Sequence, residues 1–482
     1  METLLIGRAE EQEILSDALQ SNEAEMVAVI GRRRVGKTFL IKTVYEEEMA
    51  FEVTGIQDAS KQEQLQNFTI QLTKYSSSKL PINVPNNWLA AFFLLSTHLD
   101  TLDFSEKRVV FLDELPWLAT HKSGFLNGLS WFWNSWAVNK NIVVVICGSA
   151  ASWMIKKVVN NRGGLYNRVT KRIYLLPFNL RETEIYLQSR NIYLDRYQIT
   201  QLYMALGGVP HHLKAVKNGK TAIQNINQIC FATNGLLRDE FLRLYPALFA
   251  HADNHITVIK ALANKPQGLT RNEIIELSKV PSGGSTTRTL EELEHSGFIS
   301  AYRPYRPYRK NKNTRLYRLT DEYSLFYLKF IEGNQYEGKD TWHHLSQTQP
   351  YKTWSGYAFE SICLKHIPQI KKALGISGIH SVSSTFYHKG TSDTESTQID
   401  LLIDRKDRAI NLVEIKFYNE PFAITKSYAE NLRNKQSVFK AVTNTTKQLF
   451  TTFISTFGLK NNQHSLGLVA QSLTLDDLFV EI

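Results

Sequence analysis

Five short apolar runs mark the stretch from Met26 to about Phe178: MVAVI, FEVTG, RVVFL, NIVVVIC and KRIYLL, with helical patterns between them. Strands that are apolar at consecutive positions, rather than at every second one, predict a parallel sheet covered on both faces. From about Asn179 to Leu237 the pattern turns helical. LRETEIYLQSR and ITQLYMALGG are two segments, and Gly207-Gly208-Val209-Pro210 breaks the second. From about Arg238 to Ile331, HITVIKALAN, LTRNEIIELSK and STTRTLEELEHSG read as three short helices. FISAYRP and TRLYRLT then pair as strands around a basic loop, so a helix-turn-helix is followed by a hairpin. A polar and aromatic linker is expected near Glu332 to Tyr351. The last part opens with a helix over Gly356 to His366. QIDLLIDRKDRAINLVEIKF, from Gln398 to Phe417, then reads as two apolar strands around a charged turn, and SYAENLRNKQSVFKAV as a further helix. No repeat or low-complexity tract interrupts this order.

A chain of 482 residues exceeds one ordinary core, so about three domains are expected. With 43% hydrophobic and 21% charged residues the composition is globular. The net charge of +10 favours an anionic partner. Cys147, Cys230 and Cys363 are too few and too scattered for a disulfide framework or a zinc site, which fits a reducing cytoplasm. The start, METLLIGRAEEQEI, does not read as a signal peptide. The apolar run around Ile142 to Cys147 is too short to span a bilayer, so no membrane is expected as a partner.

Gly31-Arg32-Arg33-Arg34-Val35-Gly36-Lys37-Thr38 fits the pattern GxxxxGK[ST], with the strand MVAVI before it and the helix KTFLIKTVYEEE, which includes Phe39, after it. Glycines let backbone N–H groups curl round a phosphate, and the helix N-terminus adds positive potential. Lys37 is placed to reach the β- and γ-phosphates and Thr38 to hold Mg²⁺. Arg32, Arg33 and Arg34 raise the local potential. RVVFL ends in Asp113-Glu114, with Asp113 suited to hold Mg²⁺ through water and Glu114 to polarise the attacking water as general base. With no NKxD signature, ATP is favoured over GTP. NIVVVIC ends near Ser149, which either senses the γ-phosphate or caps the next helix. Arg162, Arg168 and Arg172 follow, with Arg168 first among them as an arginine finger, acting within one chain or across subunits of an oligomer.

GRRRVGKT, FLDELPWL, ICGSAASWM, LYNRVTKRIYLLPF and ALGGVPHHL resemble the archaeal-type ATPases of the AAA+/STAND group, which are also widespread in bacteria. The resemblance implies a P-loop NTPase fold of the ASCE/AAA+ type with a helical lid, and ATP binding and hydrolysis. IGRAEEQEIL is similar to the family's opening box, which packs near the adenine, although Ala9 stands where that box carries an acid.

The segment 301–320, AYRPYRPYRKNKNTRLYRLT, contains no acid. A hairpin after a helix-turn-helix is a winged helix. Its cations Arg303, Arg306, Arg309, Lys310, Lys312, Arg315 and Arg318 suit phosphates, while the interleaved tyrosines stack or pack. Arg288 lies near the leading end of the helix that would enter the major groove of duplex DNA. A winged helix used only for protein contacts is the alternative.

In LVEIKF, Glu414 and Lys416 share one strand face, and the turn at 405–408 brings Asp400 towards Glu414. Asp400, Glu414 and the carbonyl between Glu414 and Lys416 could ligate Mg²⁺, with Lys416 orienting the water. A hairpin with one wet face would give the same alternation. The helix carrying Glu360, the Asp strand, the Glu-x-Lys strand and the following helix are together similar to the PD-(D/E)XK nuclease-like fold, which often ends proteins of the ATPase family named above. Pro does not precede Asp400. The expected order is thus an α/β P-loop core over 1–178, a helical lid over 179–237, a winged helix over 238–331 and an α/β nuclease-like domain over 350–482. The expected activity is ATP hydrolysis with DNA binding and Mg²⁺-dependent DNA cleavage. The alternatives are a nucleotide-switched DNA-binding regulator with an inactive nuclease fold and a protein-binding signalling scaffold.

Overall fold

The computed structural model describes residues 5–76, 82–160, 163–249, 251–305, 315–334, 340–390 and 395–482. The chain forms two compact units, one containing the residues up to Pro177 with short segments near Leu248 and at Glu291–Gly297, the other built from Phe178 onward. Among the described residues no helix is long and apolar enough to cross a membrane.

The first unit is built on β1 (Glu25–Ile30), β2 (Met49–Thr54), β3 (Arg108–Asp113), β4 (Ile142–Gly148) and β5 (Lys171–Tyr174), all parallel, in the order β2-β3-β4-β1-β5. These are the five apolar runs of the sequence. Alternate residues feed separate cores. Ala28, Ile30, Val110, Leu112, Val144 and Ile146 meet Phe68, Trp88, Phe92 and Phe125 on one side. Val27, Val29, Val109, Phe111, Val145 and Cys147 meet Leu15, Leu40, Ile41 and Tyr45 on the other. Each fully buried Val, Leu, Ile or Phe is worth about 1.5–3 kcal/mol, so both faces must stay covered.

The second unit begins with the helices Leu180–Ser189 and Arg196–Leu206; the second ends at Gly207, and Pro210 opens the next helical turn. The helices Ala252–Ala263, Arg271–Ser278 and Gly284–His295 follow as expected, with β6 (Leu269–Thr270), β7 (Ile299–Tyr302) and β8 (Leu316–Leu319) in an antiparallel sheet of order β6-β8-β7. Residues 340–351 are no simple linker. The helix Thr341–Leu345 buries Trp342, which stacks on Phe231 at 5.6 Å and meets Phe330 edge-on at 5.2 Å. The next helix starts at Gln349, ahead of the expected Gly356, because Pro350 sits in its first turn, where no N–H is needed.

The remaining strands are β9 (Ser381–His388), β10 (Thr397–Arg405), β11 (Ala409–Lys416), β12 (Phe422–Ala423), β13 (Gln448–Ser455), β14 (Leu459–Lys460) and β15 (Gln471–Leu473). The main sheet runs β15-β13-β11-β10-β9, with β11, β13 and β15 parallel and β10 antiparallel to both neighbours; β12 pairs with β14. The helix Lys426–Thr443 makes the crossover that parallel β11 and β13 require. In the hairpin of β10 and β11, β11 has no wet face. Ala409 to Ile415 are all buried, and only Lys416 is half-exposed.

His366, wholly buried after the helix Gln349–Lys365, ties this part to the start of the unit. Its Nε2 accepts the Leu180 N–H at 3.1 Å and its Nδ1 lies 2.8 Å from the Ile362 carbonyl oxygen. Burial, with Lys365 adding to it, pushes the imidazole down to about 4 from 6.5. A depressed histidine stabilises the fold fully above the unfolded value and loses that contribution as pH falls towards the folded one. Stability of the second unit is therefore expected to fall by about 3 kcal/mol between pH 6.5 and 4 through this group. Urea unfolding followed across that range, with His366→Gln showing the shallower dependence, checks it.

Candidate functional site

After β1 the chain turns through Gly31–Gly36 into the helix Lys37–Val44. A Cβ on Gly31 would lie 2.3 Å from the Leu175 carbonyl oxygen, and Gly36 has φ 95°, so glycine is required at both ends of the loop. Val35 and Arg32 are buried, while Arg34 and Phe39 are exposed. The buried Lys37 ammonium donates to the Arg32 carbonyl at 3.0 Å, inside the curl of the loop. Thr38 Oγ1 donates to Asp113 Oδ2 at 2.7 Å, and Asp113 Oδ1 accepts the Glu114 N–H at 2.9 Å. Glu114 adopts a left-handed φ of 47°. Its Oε2 accepts both the Ser149 N–H at 3.1 Å and the Ser149 hydroxyl at 2.8 Å. The ends of β1, β3 and β4 thus meet at one edge, and a hydroxyl and a carboxylate held together are hard oxygen donors of the kind Mg²⁺ takes.

Ser149 does not cap the helix Ala151–Met154, which has Ala150 before it and no side-chain cap. Arg168 is exposed on a turn before β5, and its side chain has no hydrogen bond or ion pair among the described residues. Arg162 lies outside the described residues. Two further contacts were not singled out in the sequence. Arg8 Nη2 donates to the Val35 carbonyl at 3.5 Å, so the IGRAEE box braces the loop. The Arg33 guanidinium lies 5.2 Å over the Trp117 ring, a cation–π contact.

A second cluster centres on β10 and β11. The pairing of β9 with β10 is irregular between Ile399 and Leu402, a bulge that re-aims Asp400. Asp400 Oδ2 accepts the Ile415 N–H at 3.0 Å. Glu414 Oε1 accepts from Lys416 Nζ at 2.8 Å and from the Tyr428 hydroxyl at 2.7 Å, and Oε2 from Lys435 Nζ at 2.7 Å. Burial would raise the Glu414 carboxyl, but Lys416 and Lys435 hold it down to about 2. Burial first, then Glu414 and Glu360, pushes Asp400 up to about 7. Burial also raises Glu360, against the opposing pull of Arg318 and Lys416. Asp400, Glu414, Lys416 and Glu360 are therefore mutually in reach electrostatically. Among the described residues no group of three or more His, Cys, Asp or Glu is arranged to hold a metal ion. Glu414, with its lysines in place, offers no open oxygen pair. Tyr428 and Lys435 were missed, although their spacing of seven in SYAENLRNKQ puts them on one helical face.

Of the basic candidates, Arg288 and Arg303 are exposed, while Arg306, Arg309, Lys310 and Lys312 lie outside the described residues. Arg318 is not a surface cation. It is buried on β8, and its Nη1 meets Glu360 Oε1 at 3.4 Å. Tyr305 packs against Phe439, with ring centres 5.3 Å apart. Arg271 was also missed. It donates to the Ser282 and Gly283 carbonyls at 3.0 Å and to Thr287 Oγ1 at 3.2 Å, bracing the start of the helix that carries Arg288.

Residues 5–216 match a family described as an ATPase domain predominantly from Archaea. An uncharacterised protein of Methanocaldococcus jannaschii is 22% identical over 421 residues, covering 86% of this chain and 88% of that protein. Among solved structures, the Walker-type ATPase PABY2304 of Pyrococcus abyssi is similar with a TM-score of 0.49 and 16% identity, over 67% of this chain and 96% of that one. The Aeropyrum pernix ORC2 protein, in ADPNP and ADP complexes, is similar with a TM-score of 0.41 and 15% identity, over 69% and 95%. The N-terminal part of the chain is an ATPase domain, and the protein is an ATPase.

Asp400 offers a direct check on the second cluster. A carboxyl raised in the folded state stabilises below its unfolded value of 3.8, and loses that contribution as pH rises towards 7. Asp400→Asn keeps an acceptor for the Ile415 N–H and removes the charge. It is expected to be more stable than wild type by a few kcal/mol at pH 8, and by little at pH 4, in thermal or urea unfolding.

Proposed function

Proceeding from the ATPase domain, we propose that ATP binds at the strand edge formed by Gly31–Thr38, Asp113–Glu114 and Ser149, and that its hydrolysis governs DNA bound by the second unit. The observation that carries the reading is the hydrogen-bonded set joining Thr38 to Asp113 and Glu114 to Ser149 at the ends of three strands. Lys37 leaves the Arg32 carbonyl for the β- and γ-phosphates. Thr38 and Asp113 would hold Mg²⁺, which when bound would neutralise phosphate charge. Glu114 receives the proton of the water that attacks the γ-phosphorus, as the bond to the ADP oxygen breaks. Ser149 positions that carboxylate, and Arg168 supplies the cation for the transferring group. Residues 179–237 act as lid.

The segment 238–331 is read as a winged helix that holds duplex DNA through Arg288, Arg303 and the basic hairpin, supported by the exposure of both arginines and the absence of acids over 301–320. Residues 350–482 are read as a nuclease-like domain in which Asp400 and Glu414 would hold Mg²⁺ if Lys435 and Tyr428 released Glu414, and Lys416 would orient the water. The three donors already on Glu414 favour a second reading, a nucleotide-switched DNA-binding protein with an inactive nuclease fold.

Glu114→Gln is expected to keep ATP binding and to lower kcat by about 10²–10⁴-fold, while Lys37→Ala loses binding. ATP-binding and phosphate-release assays check this, and an unchanged kcat in Glu114→Gln would remove the assigned role. DNA affinity is expected to fall with salt, and Arg288→Ala with Arg303→Ala to lower the salt slope by about 1 per cation removed. In the same preparations, Mg²⁺-dependent cleavage lost in Lys416→Ala with DNA binding retained supports the nuclease. Binding without cleavage by wild type selects the second reading, and no DNA affinity at low salt overturns both.

A further inference from the structure

Within the second unit a cavity of about 600 Å³ opens among the helix Ala252–Ala263, β8, the segment around Leu325–Lys329 and the helix Gln349–Lys365. It shares no lining residue with the nucleotide edge or with Asp400, Glu414 and Lys416. Its walls are apolar, set by Leu262, Leu319, Leu325, Leu328, Trp354 and Ala358. Two polar groups reach it from the buried side. Arg318 is 5% exposed and, among the described residues, has one ion pair, the 3.4 Å contact through Nη1 to Glu360. A guanidinium carries five N–H donors, so most of its capacity is unused. Ser361 is 2% exposed, and its Oγ has no hydrogen-bond partner among the described residues. Buried hydroxyls are normally satisfied, so an orphan hydroxyl and an under-used arginine lining one cavity ask for an acceptor. Around the mouth, Lys260 and Lys329 outnumber Glu332, which pairs with Lys260 at 2.8 Å. The surroundings favour an anion over a cation.

We propose that this cavity binds a small amphipathic carboxylate. Its apolar body lies against the leucines and Trp354, and its carboxylate accepts from the Arg318 guanidinium and the Ser361 hydroxyl. Arginine is the side chain whose fork matches two carboxylate oxygens, and the volume is that of an ordinary small-molecule site. The inference stands whether or not the chain binds or cuts DNA.

Calorimetry on the full chain tests it, with 4-phenylbutyrate and decanoate as probes and 4-phenylbutan-1-ol and decan-1-ol as neutral counterparts. Saturable binding of at least one acid, about ten-fold or more tighter than its alcohol, is expected. Ser361→Ala is expected to weaken it several-fold. Ala358→Leu, which fills the cavity without touching the ion pair, is expected to abolish it at unchanged melting temperature and ATPase rate. No saturable binding of either acid, equal binding of acid and alcohol, or acid binding unaltered in a folded Ala358→Leu protein would overturn the proposal. Should Ala358→Leu fail to fold, undiminished affinity in Ser361→Ala overturns it.

Discussion

The three central strands of the first unit's sheet, β1, β3 and β4, have no wet face, and the arrangement of polar groups follows from that constraint. Successive residues of β1, β3 and β4 enter two separate apolar cores. A charge placed along any of these strands would be stranded without water or partner, at a cost far above the few kcal/mol that a domain can spare. Polar groups are therefore confined to strand ends, where the backbone leaves the sheet. Gly31–Thr38, Asp113–Glu114 and Ser149 are three such ends. Because β4 lies between β1 and β3, Ser149 stands where it can hold Glu114, and Thr38 closes the span to Asp113.

The second unit solves a different problem, since it buries charge at the centre of a sheet. Glu414 is kept ionised by Lys416 and Lys435, while Asp400 is left with a backbone N–H and the repulsion of two neighbouring carboxylates. Buried ion pairs are poor sources of net stability, yet removing one partner costs about 3–5 kcal/mol. The bulge in β10 falls beside Asp400, at the cost of ladder bonds.

Between these charges and the hairpin lies Arg318. Its burial couples β8 to the helix carrying Glu360, and Arg318 and Ser361 are both among the residues lining an apolar hollow. Trp342 packs on Phe231, tying the helix Thr341–Leu345 to the early helices of the unit, and Tyr197 stacks on Phe417, just after β11, with ring centres 5.0 Å apart. The stretch that composition suggested as a linker is thus a packed joint.

Much was legible from the chain alone. The five apolar runs became the five parallel strands, and GRRRVGKT and FLDEL marked two of the strand ends that meet at one edge of the sheet, because glycine conformation and strand-end acids are local properties of short segments. The paired strands around 405–408 were equally plain from a turn and an alternation. What only the tertiary structure decided were partners distant in sequence. Ser149 holds Glu114, Lys435 and Tyr428 close on Glu414, Arg318 turns inward to Glu360, and Trp342 is buried. Periodicity tells which face of an element is buried, but not which charge from another element meets it there. For a polar side chain in a low-dielectric interior, that meeting sets the charge it carries and what it can do.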